Sequence, residues 1–105
     1  MTPLWALRMI DPKDCMTMAD VRAGVDETDR QLAVLVGQRF RFMDAAARIK
    51  QDRGAVRDEA RKARVIANMQ ANAVANGWSA TVAEDLWERL VEASIAYELA
   101  EFDAR

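Results

Sequence analysis

At 105 residues with a net charge of −2, the chain is sized for one domain and offers no basic footprint for nucleic acid or an anionic membrane. It has no histidine, which removes the usual general base near neutral pH and the commonest metal ligand. Its single cysteine, Cys15, can form no internal disulfide. Half of the chain is hydrophobic (51%), but only three Phe, three Trp and one Tyr supply large side chains. Such a thin core predicts oligomerisation.

Residues 1–16 hold both prolines (Pro3, Pro12) and no sustained period, which predicts an extended or loose arm ahead of a domain at 17–105. The opening MTPLWALRMI lacks the basic n-region and cleavage site of a secretory signal, and no stretch is long enough to span a bilayer. With one free thiol, this predicts a cytoplasmic protein; Met9 is a second candidate start.

Thr17 and Asp20 resemble a capping box, with Asp in place of Glu, and mark a helix start. From there Met18, Val21, Val25, Thr28, Leu32, Leu35, Arg39, Phe42, Ala46 and Ile49 recur in steps of three and four. Nothing breaks this register before Gly54, so it predicts a helix of about 35 residues and about 50 Å. The remaining chain cannot cover such a rod, which predicts an all-α, intertwined homodimer.

QDRGAVR, residues 51–57, reads as a loop broken at Gly54. A second helix is expected from Asp58 to Ala75, ending at Asn76-Gly77, with an apolar stripe of Val65, Ile66, Met69 and Ala73. Thr81 and Glu84 suggest a second capping box, opening a third helix over 82–103. Trp87, Val91, Ser94 and Glu98 share one face of it.

Polar residues intrude on these apolar faces at informative places. Arg39 sits on the seam of the first helix, and Lys50, eleven residues on, is only about 20° off the same face and roughly 16 Å along the axis. Their side chains could grip a small ligand over Met43 and Ala46. Arg22 lies seventeen residues before Arg39, about 100° around the helix, and suits a partner's pocket better than its own. Glu98 and Ser94 interrupt a buried stripe, where a carboxylate is disfavoured unless a cation pairs it. Asp58 and Arg61 lie one turn apart.

Each residue also has a plain structural reading. Arg39 could snorkel or make an interface ion pair, Lys50 could complement a helix dipole, Asp58 could be a cap, and Glu98 could bridge to Arg39 or Lys50. Together, four cations (Arg22, Arg39, Lys50, Arg61) with no nucleophile point to an anionic small molecule.

The order VR(22), QR(39), RIK(50), VRDEAR(61) and S(94)xxxE(98) resembles the all-helical class of chorismate mutase across residues 17–103. The segment DPKDCMTMADVRAGVD also looks like the related isochorismate-pyruvate lyases. The resemblance implies a homodimer with two equivalent sites and neither cofactor nor metal. Arg22 from the partner and Arg39 would bind carboxylates, while Lys50 and Glu98 would reach the ether oxygen. Asp58, Arg61 and Ser94 would make further substrate contacts. An ionised Glu98 would repel charge growing on that oxygen, so the resemblance implies a Glu98 that works protonated and an activity that falls as pH rises. Lys62 stands where many such mutases place a Glu for the ring hydroxyl; either it points to solvent or the substrate differs. The expected reaction is chorismate to prephenate. Its rivals are isochorismate-pyruvate cleavage, a 4-amino-4-deoxychorismate substrate, and a non-enzymatic helical dimerisation module.

Overall fold

The computed structural model describes residues 10–105, which are all-helical. Three long helices follow one another as α1 (Met18–Ile49), α2 (Glu59–Ala75) and α3 (Ala80–Asp103). The described residues contain no strand, and no described helix is long and apolar enough to cross a membrane. The chain divides into two units, the first ending at Arg39 and the second being Phe40–Arg105.

In the first unit the expected capping box forms. Thr17 Oγ1 accepts the Asp20 amide at 3.1 Å, and Asp20 Oδ2 accepts the amides of Thr17 and Met16. The stretch expected to be loose instead makes a 3-10 turn over Pro12–Asp14, because Asp11 caps it and Pro12 is already set to a helical φ. Residues 1–9 of the expected arm lie outside the described residues. On α1 the apolar positions Val21, Val25, Leu32 and Leu35 are all exposed. Their spacing makes a stripe that this unit does not cover.

The second unit is built around α2 and α3. Val56, Val91 and Ile95 form its buried centre, and Val65, Ile66, Trp87, Leu99 and Phe102 pack against them. The expected α3 face is therefore the buried one, with Ser94 and Glu98 inside it. α2 stops as expected. Gly77 takes φ 81°, and the amides of Gly77 and Trp78 reach back to the Val74 and Ala73 carbonyls at 3.2 and 2.9 Å. That is a Schellman closure, which favours glycine because only it adopts this φ without strain.

Three details differ from the sequence reading. α1 ends at Ile49 rather than continuing toward Gly54, and Asp52 caps a separate 3-10 turn at Arg53–Ala55. α3 starts two residues before the expected 82, because Ser79 is its N-cap, its side chain accepting the Val82 amide. Thr81 lies inside the helix. Finally, Phe42 and Ile49, placed on the α1 seam, are 64% and 66% exposed. The side chains turned inward in this unit are Phe40, which meets Tyr97 edge-on with ring centroids 5.0 Å apart, and the buried Ala47.

Charged pairs tie α2 to α3. Lys62, expected either to face solvent or to report a different substrate, is only 15% exposed in its side chain and donates to Glu88 at 2.7 Å and Glu92 at 3.1 Å. Arg57 makes a two-pronged contact with the same Glu92 and adds Glu59. The Arg57 and Lys62 cations hold the Glu92 carboxyl down from 4.5 to about 2. A carboxyl depressed on folding adds stability that is present above its unfolded value and lost as pH falls. The melting-temperature advantage of wild type over Glu92→Gln should therefore be full at pH 7 and shrink between pH 4.5 and about 2. Thermal unfolding of both proteins across that range checks this, and added salt should shrink the same difference.

Candidate active site

Lys50 continues the last turn of α1, its amide donating to the Ala46 carbonyl at 2.9 Å. Its side chain reaches α3, where Nζ donates to Glu98 Oε2 at 2.7 Å. Glu98 is 4% exposed because it sits in the buried α3 face. A carboxylate in that position is tolerable only with a close cation, and Lys50 supplies it. Of the two bridges expected for Glu98, the one to Lys50 forms. An ammonium carries three N–H donors, so this contact leaves Lys50 two more for a ligand oxygen.

Ser94 lies one turn before Glu98 on the same face and is also buried; its Oγ donates to the Leu90 carbonyl at 2.7 Å. Asp58 adopts its plain reading as the N-cap of α2, Oδ1 accepting the Arg61 amide at 3.0 Å. This ties Asp58 and Arg61 together through the backbone, and the Arg61 residue is exposed at the first turn of α2. Met43 and Ala46, the expected floor, are half-buried. Arg22 and Arg39 belong to the first unit, Arg22 exposed and Arg39 half-buried. The structure thus joins Lys50 with Glu98 and Asp58 with Arg61.

Sequence reasoning missed the residues that hold this region in place. Arg105 Nη1 donates to the carbonyls of Ala47 at 3.0 Å and Lys50 at 2.7 Å. Arg53 makes a two-pronged pair with Asp103 at 2.8 and 3.1 Å. Tyr97 donates to Asp44 Oδ1 at 2.6 Å, and that carboxylate raises the Tyr97 hydroxyl above its usual range. Each joins residues more than forty positions apart, and no local spacing signals such a contact. The α3 pair Glu88 and Glu92 was legible as an i,i+4 acidic face awaiting cations.

Chemically, the Lys50–Glu98 couple presents donors held in place rather than a nucleophile. It suits binding and stabilising charge on an oxygen. The chain resembles an isochorismate pyruvate lyase of Pseudomonas aeruginosa, with 29% identity over 91 residues that cover 87% of this chain and 90% of the relative. A family model, chorismate mutase type II, matches residues 21–99, an interval containing Arg22, Arg39, Lys50, Asp58, Arg61, Ser94 and Glu98. With its all-helical fold and these residues inside the matched span, the chain belongs to the chorismate mutase type II family.

Proposed function

We propose that this chain is a chorismate mutase, converting chorismate to prephenate for aromatic amino acid biosynthesis. The observation that carries this reading is the buried Lys50–Glu98 contact. In the rearrangement one ether C–O bond breaks as a C–C bond forms, no atom leaves, and negative charge grows on the ether oxygen. Catalysis then requires the substrate held in its reactive conformer and a fixed donor at that oxygen. Lys50 is the donor. Arg39 and a partner's Arg22 hold the carboxylates through two-pronged contacts that fix orientation as well as charge. Asp58, Arg61 and Ser94 complete the substrate contacts.

The relative from Pseudomonas aeruginosa favours a second reading, cleavage of isochorismate to pyruvate and salicylate. The deciding experiment offers chorismate and isochorismate separately and follows prephenate and salicylate. The mutase reading expects prephenate at a kcat/KM well above that for salicylate; the reverse order overturns it.

Glu98→Gln tests the carboxyl. The amide oxygen can still accept from Lys50, while the amide nitrogen donates whatever the pH. Activity is expected to persist, because the amide oxygen keeps the hydrogen bond that positions the Lys50 ammonium. A loss in Glu98→Gln as deep as that in Lys50→Ala would show that the charge of the carboxylate, and not its hydrogen bond alone, is required.

A further inference from the structure

We infer that Arg105 is a positioning residue for Lys50, acting through the Lys50 backbone. This rests on the reading of Lys50 as the donor to the substrate. The last four carbonyls of a helix have no partner within it, and the ends of helices fray. Lys50 lies just past the end of α1, so its amide closes the last turn while its carbonyl has no partner within that helix. Arg105 Nη1 binds the Ala47 and Lys50 carbonyls together, a charge-assisted pair of contacts closing the open turn.

The guanidinium is itself held. Its carbon lies 3.7 Å from the centroid of the Phe102 ring, and Phe102 packs against the Val56, Val91 and Ile95 core. The Lys50 backbone is thereby fastened, through one stacked guanidinium, to the same core that carries Glu98. α3 and the residue pair that follows it grip Lys50 twice, at Nζ through Glu98 and at the carbonyl through Arg105. Arg53 and Asp103 fasten the next turn of chain to the end of α3.

The double grip matters because lysine is a long, flexible side chain that samples many rotamers unless it is held. Glu98 alone fixes the ammonium to a moving base if the turn beneath it frays. A fixed base and a fixed tip together leave the ammonium one place to be. Displacements of about 1 Å in a catalytic group can cost up to 10²-fold in rate. A cation near a helix C-terminus also favours the dipole, but that effect changes stability alone.

The test is a double-mutant cycle between Arg105 and Lys50, with kcat and KM measured on whichever of chorismate or isochorismate the wild type turns over. Arg105→Ala is expected to lower kcat about 10-fold while KM moves less than about 2-fold, at a temperature where circular dichroism shows the protein folded. Arg105→Lys keeps the charge and places an ammonium where the planar guanidinium was, and should recover part of the loss. In a Lys50→Ala background, Arg105→Ala should change kcat no further. An unchanged kcat in Arg105→Ala overturns the inference, as does an equal loss with and without Lys50. If Arg105→Ala does not fold, the same comparison is made with Arg105→Met, which keeps an apolar stem but has no donor, and an unchanged kcat there overturns it. Full activity in Lys50→Ala alone overturns the reading beneath it as well.

Discussion

Lys50→Ala is expected to lower kcat roughly 10²–10³-fold, the usual loss when one preorganised donor to a developing oxyanion is removed. KM should change less, since the interaction is made mainly as the ether bond breaks. The same substitution should destabilise the fold. It leaves Glu98, whose side chain is 6% exposed, without its cation. Removing one partner of a buried pair costs about 3 kcal/mol at the lower end, and the lower end applies because the Lys50 side chain is 30% exposed. The two effects can be separated. Lys50→Ala with Glu98→Leu removes both charges and should regain most of the lost melting temperature while kcat stays low. Steady-state kinetics and thermal unfolding of the single and double variants read these outcomes. A Lys50→Ala protein within a few-fold of wild-type kcat would show that the ammonium serves structure only.

The sequence carried the fold well where signals were local. The Thr17–Asp20 box, the Asn76-Gly77 stop and the α3 stripe each depend on residues within a turn or two, and each is found as expected. Ser79 outcompeted Thr81 as cap because either hydroxyl could start a helix there, and spacing alone does not rank them. The Phe42 and Ile49 positions belong to a real heptad, but the period says only that a face is apolar, not which neighbour covers it. For the candidate site, Lys50 and Glu98 were legible as charges out of place on apolar faces. Their union at 2.7 Å was one of two pairings the sequence allowed. Arg105, Arg53 and Lys62 were not legible as anchors, since an exposed cation in sequence is ordinary until a distant acceptor is brought beside it.

Two inactive variants should restore each other when mixed. The exposed stripe of Val21, Val25, Leu32 and Leu35 along α1 supports the proposal that a second copy packs there, bringing its Arg22 to this chain's site. Arg22→Ala and Arg39→Ala should each lose roughly 10²–10³-fold in kcat/KM, as expected when a charge-assisted carboxylate contact is lost. Co-refolding equal amounts then pairs subunits at random in a C2 dimer, so about half of the dimers carry one variant of each kind. In such a dimer one site receives an intact Arg22 from one chain and an intact Arg39 from the other, while the second site lacks both. Activity should return to about a quarter of wild type. If Arg22 served the site of its own chain, every site in the mixture would lack one arginine and no activity would return. The same preparations, sized by light scattering, should run at twice the 11.8 kDa chain mass. A monomer at that concentration would remove the shared site altogether, because Arg22 would then have no second chain to serve.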